Sequence, residues 1–133
     1  MSTAGRAPLI LIVEDDPDIA GLLEIALQEA GYQTLRAETG HTAEELARQA
    51  RPDLVLLDLS LPDKPGQAVL FTLRQQPETA RIPVIVVTGY AEPVTTIAGW
   101  PAITVVEKPF DLDALLALIR DCLQATARPA RHP

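Results

Sequence analysis

The chain has 133 residues, 47% of them hydrophobic, and a formal net charge of -7; that suits one compact domain with its own apolar core. The single cysteine, Cys122, excludes an internal disulfide framework, and the acidic balance argues against direct nucleic-acid binding, which needs a basic stripe. No apolar run approaches the roughly 20 residues that cross a bilayer and no signal peptide is visible, so no membrane association and a cytoplasmic location are expected.

Residues 1–8 read as a flexible lead-in. Leu9–Val13 is a solid apolar run. Pro17–Ala30 has helical spacing, with Ile19, Leu22, Leu23, Ala26 and Leu27 on one face; Asp16 is its expected N-cap, Pro17 its first residue and Gly31 its stop. Gln33–Ala37 is a weaker strand and Thr42–Gln49 a short helix. Leu54–Leu57 is again solidly apolar. The Pro/Gly-rich loop Ser60–Gly66 follows, with Pro62 and Gly66 read as turn residues and Asp63 and Lys64 as solvated charges. A helix is expected over Gln67–Gln75, then a strand over Val84–Val87.

Ala91–Pro101 holds Pro93, Gly99 and Pro101 among β-branched residues, so a helix there should be short or irregular. Ile103–Val106 is the last apolar run, and Asp111 caps a closing helix over Leu112–Leu123. Residues 9–124 form the domain, and 125–133 read as a flexible tail or linker stump. Phe71, Trp100 and Phe110 are expected to pack, as is Cys122. Unbroken Val/Ile/Leu runs indicate strands buried on both faces, and their alternation with helices indicates a doubly wound, five-stranded parallel α/β domain.

Such sheets bind ligands beyond the carboxyl ends of their strands. The residues there are Glu14-Asp15-Asp16, Asp58, Thr88-Gly89 and Glu107-Lys108-Pro109. Carboxylates gathered at one edge repel each other and call for a cation, and oxygen ligands without His or Cys favour Mg²⁺. A lysine and a hydroxyl beside them can receive an anion. A carboxylate nucleophile, a hard divalent ion, a lysine and a hydroxyl together suit phosphoryl transfer to an aspartate.

From Leu9 to Leu123 the chain resembles the receiver domains of two-component response regulators. The resemblance is carried by Ile12-Val13-Glu14-Asp15-Asp16, Leu56-Leu57-Asp58-Leu59-Ser60-Leu61-Pro62, Gly66, Val87-Thr88-Gly89 and Lys108-Pro109-Phe110, in order and at the family's spacing. It implies a flavodoxin-like strand order of 2-1-3-4-5, with Asp58 as phospho-acceptor. It further implies Mg²⁺ held by Asp15, Asp58 and the Ser60 backbone carbonyl, with Glu14 acting mainly through metal-bound water. Thr88 would hydrogen-bond the phosphoryl group, Lys108 would pair with it, and Lys108–Pro109 would be a cis peptide. The implied donor is a sensor histidine kinase or a histidine phosphotransfer protein. The implied output is altered affinity for an unknown partner or for a second copy of the chain, without turnover of an external substrate.

The position that carries an aromatic switch residue in many receivers is Val105. Thr88-Gly89-Tyr90 resembles a subgroup found in hybrid-kinase and stand-alone receivers, which suggests Tyr90 and the segment after it as the replacement switch. Gly89 would leave open space beside Asp58, and Tyr90 would shield an acyl phosphate from water. Three rivals stand beside this reading. A haloacid-dehalogenase-like phosphatase would want a second Asp where Ser60 stands. A flavin binder would not place three acids in its phosphate loop. A docking-only receiver would not need the set at 15, 58, 88 and 108. Taken singly, Asp16 is a helix-start residue, and neither His41 nor His132 has a partner legible in sequence.

Overall fold

The computed structural model describes residues 6–89 and 103–127. In chain order the elements are β1 (Leu9–Val13), α1 (Pro17–Glu29), β2 (Gln33–Ala37), α2 (Gly40–Ala50), β3 (Leu54–Asp58), α3 (Gly66–Gln75), β4 (Val84–Thr88), β5 (Ile103–Glu107) and α4 (Leu112–Ala127). The strands form one parallel sheet in the order β2-β1-β3-β4-β5, so the doubly wound fold expected from the sequence is the fold observed. The irregular helix expected over Ala91–Pro101, with Tyr90 and Trp100, lies outside the described residues, as does His132.

The unbroken apolar runs have a direct structural cause. Successive strand side chains point to opposite faces, and both faces are covered. Leu11, Val13, Val55, Leu57, Val84 and Val86 pack against Ala43 and Ala47 of α2 and Val69, Leu70 and Leu73 of α3. Their neighbours Ile10, Ile12, Leu54, Leu56, Ile85 and Val87 pack against Ala20, Leu23 and Leu27 of α1 and Leu115 and Ile119 of α4. Cys122 and Phe110 are half-buried against this second layer, and burial pushes the Cys122 thiol upward, which disfavours its thiolate.

Helix ends follow local chemistry. The Asp16 carboxylate accepts from the Asp18 and Ile19 N–H groups, capping α1. At its other end Tyr32 N–H donates to the Leu27 carbonyl and Gly31 N–H to Gln28, closing a Schellman motif around Gly31 at φ 99°. Helix α2 starts two residues ahead of the expected Thr42, because Thr39 caps it and Gly40 and His41 find an acceptor elsewhere in the chain. The last helix continues past Leu123 to Ala127.

Two side chains expected in the core are at the surface. Leu22 is 53% exposed because the buried stripe of α1 runs through Ala20, Leu23 and Leu27. Phe71 is 54% exposed because α3 buries Val69, Leu70 and Leu73 and turns residue 71 away. His41 sits 3.6 Å from the Glu45 carboxylate, an exposed pair one helical turn apart.

Candidate functional site

Parallel strands in register bring their carboxyl ends to one edge. Leu57 of β3 lies beside Val13 of β1, and Asp58 lies beside Val87 of β4. Asp58 and Thr88 are each the last residue of a strand, so the sheet ladder fixes their backbones. The residues just beyond are also tied down. Glu14 N–H donates to the Ala37 carbonyl at 3.0 Å, and Lys108 N–H donates to the Thr88 carbonyl at 2.8 Å. The Lys108–Pro109 peptide is cis.

Glu14, Asp58 and Thr88 are buried, whereas Asp15 faces solvent. One carboxylate oxygen from each of Glu14, Asp15 and Asp58 lies within 4.8 Å of the others. The Lys108 ammonium stands 3.4 Å from Glu14 Oε1 and 3.5 Å from Asp58 Oδ2. Ser60 N–H donates to Asp58 Oδ1 at 3.1 Å, and Asp16 N–H donates to Glu14 Oε2 at 3.2 Å. The sequence-derived residues Glu14, Asp15, Asp58, Ser60, Thr88 and Lys108 therefore share one edge of the sheet. Val105 lies deeper in β5, beside Val86, half-buried against the α2/α3 layer. A Cβ on Gly89 would meet no described atom within 4 Å.

Two buried carboxylates against one lysine leave the site short of positive charge. Burial and the neighbouring Asp58 carboxylate push the Glu14 carboxyl up to about 7, against the pull of the Asp16 N–H and Lys108. Burial alone would lower the Lys108 ammonium, but the Asp58 and Glu14 carboxylates outweigh it and hold it above its ordinary value. A divalent cation among oxygen donors is the group this donor set fits.

The Glu14 shift gives stability a pH dependence. Its folded value of about 7 lies above its ordinary value of 4.5. The folded state therefore holds the proton more tightly, and this contribution to stability, full below pH 4.5, is lost as pH rises through about 7. In chelator, Glu14→Gln is expected to melt higher than the wild type at pH 8, with the gap closing towards pH 4.5. Thermal melts across that range check this; a gap independent of pH would contradict it.

The Ser60–Gly66 loop differs from its sequence reading in two respects. Asp63 and Lys64 are partnered rather than merely solvated: Asp63 accepts from Gly40 and His41 N–H, and Lys64 pairs with Glu44. Gly66 serves close approach rather than a turn torsion. A Cβ there would lie 2.6 Å from Leu59 Cα and 2.7 Å from the Asp58 carbonyl oxygen. Those partners lie far away in sequence or on the backbone, so neither the turn chemistry of Gly66 nor its place in the family resemblance shows which atoms it meets.

Residues 10–120 match the response regulator receiver domain family. The chain is a receiver domain of that family. Its curated relatives include the DNA-binding dual master transcriptional regulator RpaA of Synechocystis, 41% identical over 91% of this chain and 51% of RpaA. Protein Rrf1 of Nitratidesulfovibrio vulgaris is 38% identical over 90% of this chain and 85% of Rrf1. This receiver thus spans about half the length of the first relative and most of the second. It also resembles the receiver domain of a Pseudomonas aeruginosa sensor histidine kinase, crystallised with a magnesium ion coordinated in its active site cleft. That likeness has a TM-score of 0.81 at 26% identity, over 89% of this chain and 98% of the other. No helix among the described residues of this receiver is long and apolar enough to cross a membrane.

Proposed function

We propose that Asp58 accepts a phosphoryl group from a phosphohistidine on a sensor histidine kinase or a phosphotransfer protein, with Mg²⁺ present. The observation that carries this reading is the juxtaposition of three carboxylates within 4.8 Å of one another and the Lys108 ammonium within 3.5 Å of two of them. Asp15, Asp58 and the Ser60 carbonyl would hold the metal, with Glu14 acting through metal-bound water. When bound, Mg²⁺ offsets charge on the phosphoryl oxygens.

The chain's own residues do the rest. An Asp58 carboxylate oxygen attacks phosphorus in line, while the bond from phosphorus to the donor imidazole nitrogen breaks and imidazole leaves with its electron pair. Lys108, held by the cluster beforehand, pairs with the transferred group. The Thr88 hydroxyl hydrogen-bonds a phosphoryl oxygen. The added charge draws Thr88 and Lys108 inward and shifts the β4–β5–α4 face between two packings, changing affinity for a partner or a second copy. With Val105 where an aromatic would report this shift, Gly89 and Tyr90 carry the signal and tune the lifetime of the acyl phosphate. The chain turns over no external substrate.

Incubation with acetyl phosphate and Mg²⁺, followed by intact-mass measurement, tests the metal requirement. The wild type is expected to gain one phosphoryl group. Chelator or Asp15→Asn should abolish the gain or slow it about 100-fold, the scale set by removing one charge-stabilising group from a transfer site. Full-speed modification of Asp15→Asn in chelator would contradict the proposal.

A further inference from the structure

The loop after Asp58 is fastened to a helix that contributes no residue to the site. The Asp63 carboxylate accepts from the first two N–H groups of α2, Gly40 at 2.8 Å and His41 at 3.0 Å. Those donors, Gly40 first, hold the Asp63 carboxyl below its ordinary value. One residue on, the Lys64 ammonium bridges both Glu44 carboxylate oxygens at 3.1 and 3.0 Å. A Cβ on Gly40 would lie 2.6 Å from Lys64 Cγ and 2.8 Å from Val69 Cγ2, so glycine at the start of α2 makes room for the lysine stem. The base of the loop is closed separately, by Gly66 N–H to the Leu59 carbonyl at 2.9 Å.

We propose that Asp63 and Lys64 latch this loop to α2 and thereby position the Ser60 carbonyl for Mg²⁺, making them positioning residues of the phosphorylation site. The proposal rests on the reading of Ser60 as a metal ligand. Between Ser60 and the latch stand only Leu61 and Pro62. Leu61 is half-buried against the α2/α3 layer, and the Pro62 ring fixes its own φ. The segment between the Asp63 carboxylate and the Ser60 carbonyl is thus short and restrained at both intervening residues. Freed from α2, the loop would keep its closed base and lose the tie that aims its first turn, and groups behind a metal ligand tune affinity by holding that ligand in place.

The test is a Mg²⁺ titration followed by amide NMR shifts, with thermal midpoints measured alongside. Asp63→Ala is expected to bind Mg²⁺ roughly tenfold more weakly than the wild type, the low end of the range for groups supporting metal ligands. Lys64→Glu should weaken binding similarly, and adding Glu44→Lys should restore it. Leu123→Ala, in the opposite layer, should lower the midpoint and leave affinity unchanged. Should Asp63→Ala fail to fold, the Lys64/Glu44 exchange carries the test alone. Unchanged affinity in Asp63→Ala and Lys64→Glu, or weakening that tracks the midpoint in all variants including Leu123→Ala, would overturn the latch. No Mg²⁺ response in the wild type would overturn the metal-site reading and the latch with it.

Discussion

Asp58→Asn is expected to lose phosphoryl acceptance completely and to melt at a higher temperature than the wild type. The loss follows from chemistry: the amide has the carboxylate's shape but no nucleophilic oxygen to form the acyl phosphate. The gain in stability follows from the site's charge imbalance. Asp58 and Glu14 are both buried and share one lysine, itself 25% exposed at its side chain. Neutralising Asp58 leaves Glu14 and Lys108 as a matched pair, relieving repulsion that the fold otherwise holds, on the order of 1–2 kcal/mol. The Asn carbonyl can still accept from Ser60 N–H, so the loop after β3 keeps that contact. Burial, the larger cause, keeps the Glu14 carboxyl raised, but it should fall part of the way back from about 7 because the Asp58 charge is the second cause of its elevation. Intact-mass measurement after acetyl phosphate treatment and melts in chelator at pH 8 check both effects. Retained modification would move the acceptor elsewhere, and a lowered midpoint would contradict the charge-imbalance account.

Gly66→Ala is expected to destabilise the domain by about 2–3 kcal/mol, the scale of overpacking a filled interior, and to slow phosphorylation as well. The added Cβ would meet the Leu59 Cα at 2.6 Å and the Asp58 carbonyl oxygen at 2.7 Å. Both are backbone atoms, so no rotamer change relieves the clash. Relief requires α3 to move away from β3 or the Asp58–Leu59 backbone to shift, and that backbone sets the direction of the acceptor carboxylate. Gly31 is the contrasting case. A Cβ there meets nothing within 4 Å, but its φ of 99° is strained for any other residue; Gly31→Ala should cost about 1 kcal/mol and leave phosphorylation untouched. Urea unfolding of both variants, with phosphorylation rates at matched folded fraction, separates the two roles. Gly66→Ala with wild-type stability would show that the close approach yields without cost.

The contrast between these glycines shows what was legible in the sequence. Strands β1, β3 and β4 announced themselves as unbroken apolar runs because helices cover both faces of the sheet. Once the strands were placed, parallel topology alone gathered Glu14, Asp15, Asp58, Thr88 and Lys108 at one edge. The Asp16 cap and the Gly31 stop were legible because their partners lie within a few residues along the chain.

Interactions that cross the fold were not. Asp63 meets α2 across 22 and 23 residues of sequence, and Lys64 meets Glu44 across 20. A charge in a loop carries no mark of which distant helix end it will reach. The same holds for Gly66, whose requirement is set by the Asp58 and Leu59 backbone rather than by its own torsion. Leu22 shows the limit of periodicity: at 100° per residue an apolar stripe fixes the mean direction of a helix face, and a residue at its margin falls on either side.

The most direct test of the central claim uses Mg²⁺ with beryllofluoride, a mimic of the aspartyl phosphate, followed by amide NMR shifts in the wild type and in Asp58→Ala. A phosphorylation switch predicts large shifts in the wild type, at Asp58, Thr88 and Lys108 and onward to Val105, and none in Asp58→Ala. A wild type that binds Mg²⁺ and still gives no response to beryllofluoride would contradict it, leaving a receiver fold that works by docking alone.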